Sequence, residues 1–251
     1  PTRCSFRSIP KTTARTGSQP VRPPIDGLDT TPHYTSRTLL DLTELPEHLI
    51  VVGGGYIGTE FAQMFARVGS RVTVIQRADR LLPGEDPDIS AAMAAGFDAD
   101  GLTVLTATTC TAVEGEPGRI RVGCQGDESG EITGTHLLIA AGRTPNTDHL
   151  GVEHLGLEPD EQGFLPVDDQ LKTPVEGVWA LGDIRGGPMF THTARHDADI
   201  AYRTTFRNQD RSIAGRIVPH AVFTDPEVGS VGMTEPAARA AGFGLLIGRQ
   251  D

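Results

Sequence analysis

The stretch Leu49-Ile50-Val51-Val52 runs directly into Gly53-Gly54-Gly55-Tyr56-Ile57-Gly58, and a helix-like pattern begins at once. No other segment restricts the fold as tightly. An apolar strand that closes on G-x-G-x-x-G and opens a helix is the context of a dinucleotide-binding turn. Gly53 permits the tight turn, Gly55 lets the backbone approach a pyrophosphate, and Gly58 lets the helix pack closely on the strand. Gly54, Tyr56 and Ile57 complete the loop and the first helical turn. The N–H groups at the helix start, aided by the helix dipole, suit phosphate. A glycine-rich turn without a ligand can share this spacing, but the position between strand and helix favours NAD(P).

The pattern continues as one βαβ unit. Residues 56–69 read as a helix with Ile57, Phe61, Met64, Phe65 and Val68 on one face, and Gly69 is placed to end it. The β-branched run Arg71-Val72-Thr73-Val74-Ile75 reads as the second strand. An acid at the end of that strand would accept hydrogen bonds from the ribose of NAD, whereas a nearby arginine can pair with the 2′-phosphate of NADP. Here Gln76 occupies the position, with Arg77 and Arg80 close by. NADPH is therefore favoured over NADH, although both arginines also read as ordinary surface charges.

Downstream, Pro87 suits the start of a helix over about 87–98, followed by short strands at Leu102–Thr106, Ala112–Glu114, Arg119–Val122 and His136–Ala141. Gly123–Gly134 reads as a glycine-rich, acidic turn region. Short strands after a βαβ unit suggest a small antiparallel appendage ahead of a last parallel strand. The formal charge of −11 over 251 residues argues against a nucleic-acid partner or a basic membrane-binding face. No run has the length of a transmembrane helix and no signal peptide is visible, so the expected location is cytoplasmic. Cys4, Cys110 and Cys124 have no metal-like spacing. His192 and His196 lie four apart, but no third ligand stands at matching spacing, so no metal site is expected.

Further landmarks follow in order: Ala140-Ala141-Gly142-Arg143-Thr144-Pro145-Asn146-Thr147, then Gly177-Val178-Trp179-Ala180-Leu181-Gly182-Asp183. Val222-Phe223-Thr224-Asp225-Pro226-Glu227 and Val231-Gly232-Met233-Thr234-Glu235 complete the set. With the glycine turn before them, they resemble the flavoprotein pyridine nucleotide–disulfide oxidoreductases, a family that includes mercuric reductase and dihydrolipoamide dehydrogenase. The resemblance implies an α/β fold. A Rossmann-like NAD(P)-binding domain at 45–141 would be inserted in a partial FAD-binding domain, 1–44 and 142–212. The start of an α+β dimerisation domain would follow at 213–251.

The resemblance also implies FAD and NADPH (or NADH) as cofactors. Hydride would pass from NAD(P)H to flavin and on to a disulfide or small-molecule acceptor. Gly53, Gly54, Gly55, Tyr56, Ile57 and Gly58 match the nucleotide turn, with Gln76 and Arg77 beside the ribose. Tyr56 matches an aromatic near the nicotinamide, and Glu60 an acid near the flavin; these two are the catalytic-site candidates. Thr16-Gly17 and Gly142 match the crossings between domains, and Gly182-Asp183 the signature that holds the ribityl chain.

The family's flavin-binding G-x-G-x-x-G, its C-x-x-x-x-C disulfide and its C-terminal His-Glu pair are not among these 251 residues. The chain is therefore expected to be a fragment, with a homodimer interface only partly present. Residues 1–15 and those after about 210 are expected to be the least ordered. The competing reading is a non-catalytic NAD(P)-binding remnant without flavin. A short-chain dehydrogenase is excluded, because its Tyr-x-x-x-Lys pair is missing: Thr38, Glu60 and Phe206 stand four residues after the three tyrosines.

Overall fold

The computed structural model describes residues 17–250. In chain order its first elements are β1 (Ser18–Pro20), β2 (His48–Val52), α1 (Tyr56–Arg67), β3 (Arg71–Ile75), α2 (Pro87–Ala99) and β4 (Thr103–Leu105). β5 (Thr108–Glu116), β6 (Arg119–Gly126), β7 (Gly130–Gly134), β8 (His136–Ile139) and β9 (Arg143–Pro145) follow. The last are α3 (Thr191–Phe206), β10 (His220–Val222), β11 (Val228–Ser230) and α4 (Glu235–Ala240). Contacts divide them into two compact units, an inner one of Pro20–Gly142 with 219–250 and an outer one of 17–19 with Arg143–Val218. Residues 20–44, read above as flavin-domain chain, group with the inner unit. There Asp26 N–H bonds Thr111 O at 3.1 Å and Tyr34 N–H bonds Leu137 O at 2.7 Å.

The inner unit is built on a parallel sheet of order β4-β3-β2-β8. Every residue of central β2 is buried, as expected of a parallel strand covered on both faces. Alternation then sorts the side chains. Leu49, Val51, Val72, Val74 and Leu138 pack with Ala62 and Phe65 of α1 and Met93 and Phe97 of α2. Ile50, Val52, Ile75, Leu137 and Ile139 pack instead against Val113, Ile120 and Val122 of an antiparallel sheet, β5-β6-β7. Three layers result: helices, parallel sheet, antiparallel sheet. This is a Rossmann-like α/β fold.

Two local readings need correction. Gly123–Gly134 is not all turn: β6 continues to Gly126, and Gly130–Gly134 pairs with it as a third strand. That strand is largely exposed and carries two glycines, so it has no apolar alternation to reveal it; pairing with β6 holds it. The helix stripe also differs, since Met64 is 41 % and Val68 59 % exposed. The buried face of α1 is Gly58, Thr59, Ala62, Gln63 and Phe65. Close approach to the sheet favours small residues there, and Gln63 is admitted because its amide is fully used. It donates to Asp100 and Asp225 O and accepts from Asp225 N–H, each at 2.7 Å.

In the outer unit β1 pairs with β9, and a small core of Val152, Leu157, Leu165, Ala180 and Ile184 supports a single helical turn at Gly182–Arg185. α3 follows it. Large apolar side chains after residue 216 are often exposed, Phe223, Val231, Met233 and Phe243 among them. Residues 1–15, expected above to hold little order, lie outside the described residues. No helix among the described residues is long and apolar enough to cross a membrane.

Candidate functional site

Each glycine of the inner turn has its own physical reason. Gly53 has φ +115°, and a Cβ on it would lie 2.4 Å from Ala140 O. A Cβ on Gly58 would lie 1.9 Å from Gly53 O, so the helix sits where only glycine fits. At Gly54 a Cβ would meet Leu81 at 2.6 Å. Gly55 is the exception, because nothing lies within 4 Å of its Cβ position. It is also the N-cap of α1, and no side chain caps that end. Ile57 is half-buried beside it in the first turn. A tightly fixed turn therefore opens on space in front of a helix N-terminus.

Gln76 stands at the end of β3, but its amide faces the protein. Its Oε1 accepts from Gly54 N–H at 3.1 Å and its Nε2 donates to Arg80 O at 3.2 Å. The residue therefore braces the glycine turn. Arg77 beside it is exposed and has no partner among the described residues, whereas Arg80 is tied to Asp79 and Pro83 O.

Tyr56 and Glu60 both contact the segment around β10. Glu60 Oε1 accepts from Phe223 N–H at 2.9 Å. The Tyr56 hydroxyl donates to Glu85 Oε1 at 2.7 Å, and His220 Nε2 lies 2.7 Å from the same oxygen. Burial alone would raise the Glu85 carboxyl, but bonds from Tyr56, His220 and Ser230 outweigh it and hold the group below the usual carboxylate range. Burial and that carboxylate together push the Tyr56 phenol up. Glu85 and His220 were not singled out by motif reasoning. Glu85 lies within Arg80–Pro87 next to Asp86, and no local pattern tells the buried acid from its neighbour.

In the outer unit Gly182 has φ +70°. Asp183 accepts from the Ser18 hydroxyl, and Arg143 donates to Ser18 Oγ and O at 2.7 Å each. Behind the turn lies Asp197, a fully buried carboxylate. It accepts from Gly182 N–H at 2.9 Å, from Arg185 Nε at 2.6 Å and from Arg216 Nη1 at 2.6 Å. Burial pushes its carboxyl up, yet the two guanidiniums and the amide prevail and hold it low. Gly17 and Gly142 both have positive φ and accept backbone bonds, from Asn146 and Val21 respectively. Thr16 and Cys4 lie outside the described residues. His192 and His196 are exposed, the first stacked on Phe190 and the second beside Arg216. Cys110 and Cys124 are buried free thiols, and burial pushes the Cys110 thiol up to about 12.

The turn ahead of α1 thus joins a buried strand to an uncapped helix start, and comparison with known proteins gives the chain a family. The sequence profile of the pyridine nucleotide-disulphide oxidoreductases matches residues 15–198. The chain belongs to this family. Mercuric reductase of Streptomyces lividans is 40 % identical over 229 residues, which is 91 % of this chain and 48 % of that protein. The probable pyridine nucleotide-disulfide oxidoreductase RclA of Escherichia coli is 39 % identical over 234 residues, 92 % of this chain and 52 % of that one. The solved structure of RclA, an HOCl-induced flavoprotein disulfide reductase, superposes with TM-score 0.83 over 90 % of this chain and 52 % of its own. LpdA of Mycobacterium tuberculosis superposes with TM-score 0.80 at 30 % identity, over 90 % of this chain and 49 % of that one. The chain thus spans about half the length of the relatives it matches. These relatives are oxidoreductases.

Proposed function

We propose that this chain carries the part of an FAD-dependent NAD(P)H oxidoreductase that receives the nicotinamide nucleotide and part of the flavin. The observation that carries the reading is the glycine turn: its backbone is closed by contacts at Gly53, Gly54 and Gly58 and open at Gly55 alone. That is the cradle a pyrophosphate needs, with N–H groups and the positive end of α1 toward it. The turn fits NAD(P)H. Asp183, a half-buried carboxylate on a turn that begins with glycine, fits a polyhydroxyl chain such as the ribityl of FAD. When bound, NAD(P)H and FAD would supply hydride-transfer chemistry, with a disulfide or small molecule as electron acceptor.

The protein's own part is placement. Gly53, Gly55 and Gly58 set the phosphate position, and Gln76 locks the turn through Gly54. Arg77, exposed and unpaired among the described residues, is suited to a 2′-phosphate, which favours NADPH. Glu60 and Tyr56 lie at the start of α1, where they would border the nicotinamide. Ser18 and Arg143 hold Asp183 in place.

An anaerobic absorbance spectrum of the purified chain, before and after NADPH, tests this reading. A flavin band that bleaches on reduction is the expected result. A colourless chain that still binds NADPH would replace the reading with a nucleotide-binding remnant.

A further inference from the structure

Cys110 of β5 and Cys124 of β6 stand directly opposite one another in the antiparallel sheet. Both are free thiols, and both sit in the apolar layer that faces the parallel sheet, with Val113, Ile120 and Val122. Their side chains therefore leave the same face. The ladder also fixes how close they come. Asp127 N–H bonds Ala107 O at 3.3 Å, one step beyond the pairing of Thr108 with Gly126. Hydrogen-bonded and non-hydrogen-bonded pairs alternate along such a ladder, so Thr109 and Gln125 are bonded and Cys110 and Cys124 are not. Partners of the second kind have the nearer side chains, with Cα atoms about 4.5 Å apart. That lies inside the span of about 4.4–6.8 Å that a disulfide bridges. The register shifts just past the pair, between Cys110 and Ala112, and the interrupted ladder lets the strands adjust to a bond. Burial, and then the neighbouring Cys124, push the Cys110 thiol up, and burial pushes Cys124 up as well.

We propose that Cys110 and Cys124 form a latent cross-strand disulfide, a staple in the β5–β6 hairpin that a peroxide closes and a thiol reductant opens. One cysteine, as thiolate, attacks the peroxide O–O bond, giving a sulfenic acid and water. The facing thiol displaces the sulfenic hydroxyl as a second water, and the S–S bond forms. Two S–H bonds are lost, the cysteines together give up two electrons, and the peroxide is reduced to two waters. Burial makes the first attack slow. The second is fast because its nucleophile is already held in place, so the product is the disulfide and not a stranded sulfenic acid. Closure ties residues 110–124 into a loop and restricts the unfolded chain. The staple needs only these two strands and is independent of the nucleotide reading.

Peptide mapping of the whole folded chain tests this. After treatment with hydrogen peroxide, remaining thiols are blocked, and the chain is unfolded and cut with trypsin without reduction. Cleavage after Arg80, Arg119, Arg121 and Arg143 puts the two cysteines in separate peptides, 81–119 and 122–143. The expected product is one species in which these two peptides are joined, and it should part on reduction. Joining of either peptide to Cys4, a bond between two chains, or both cysteines recovered unlinked would each overturn the proposal. The disulfide-linked chain should also melt roughly 5 °C above the reduced one, a shift that Cys124→Ala abolishes. An unchanged or lower midpoint in the linked chain overturns the staple. If Cys124→Ala fails to fold, the unaltered chain measured before and after reduction carries the same expectation and the same overturning result.

Discussion

The inner and outer units hold their glycine turns by different means. In the inner unit the turn is fixed by backbone against backbone: Gly53 against Ala140 O and Gly58 against Gly53 O, at distances no Cβ tolerates. In the outer unit the Gly182–Arg185 turn is fixed by charge, with Asp197 taking donors from Gly182, Arg185 and Arg216. Close packing responds to volume and is indifferent to pH. A buried charge network responds to protonation and to loss of any one member.

The largest effect that separates the two should come from Gly58→Ala. Its methyl group would sit 1.9 Å from a backbone oxygen, so the inner unit should lose about 3 kcal/mol or more while the outer unit keeps its stability. Gly55→Ala, which meets nothing, should cost under about 1 kcal/mol but still impair NADPH binding. Denaturant unfolding with peptide-resolved hydrogen exchange reads both. Equal losses from the two substitutions would break the packing account.

Asp197→Ala should come next. It strands the Arg185 guanidinium, whose side chain is 7 % exposed, and should cost the outer unit roughly 3 kcal/mol. Exchange protection over residues 182–200 should fall, with the inner unit unmoved. Full protection there would mean that the arginines re-pair and that Asp197 is dispensable.

Acid should then divide the units by pH window. His48 is buried in β2, its ring nitrogens 2.9 Å from Thr133 O and Thr73 Oγ1. Burial, with the charge of Arg71, lowers its pKa, and burial lowers that of His136 too. The unfolded chain binds these protons more readily, so inner-unit stability is whole above the ordinary histidine value of 6.5 and declines as pH falls below it. Asp197 is also held low, from an ordinary value of 3.8. Its contribution is complete above that value and is lost only as pH drops below it. Unfolding monitored for each unit from neutral to acid pH should show the inner unit weakening first. His48→Asn should flatten that early decline; an unchanged slope would exclude His48 as its source.

The smallest effect should fall on cofactor choice. Arg77→Ala breaks no hydrogen bond or ion pair among the described residues, so stability should hold while NADPH affinity drops about ten-fold, the value of one charge-assisted hydrogen bond. NADH affinity should stay level. Parallel losses for both nucleotides would place Arg77 away from the 2′-phosphate.

Much of the inner unit was legible in the chain because its rules are local. Strand burial is written as unbroken apolar runs at Leu49–Val52, helix limits as Pro87 and Gly69, and the turn as three glycines at fixed spacing. Such signals act within a few residues, where backbone sterics and hydrophobic period decide. β7 was missed for a matching reason: a polar edge strand owes its existence to the partner beside it, not to its own side chains.

The sequence by itself therefore determined the βαβ unit, the glycine turn and the family. Tertiary structure alone decided what the polar side chains of the two units do. Gln76, read as a ribose contact, spends its amide on Gly54 and Arg80. Glu85 meets His220 across 135 residues, and Ser18 meets Asp183 across 165. A charged or polar residue has no periodic signature, and its partner is set only when distant segments pack and water is excluded between them.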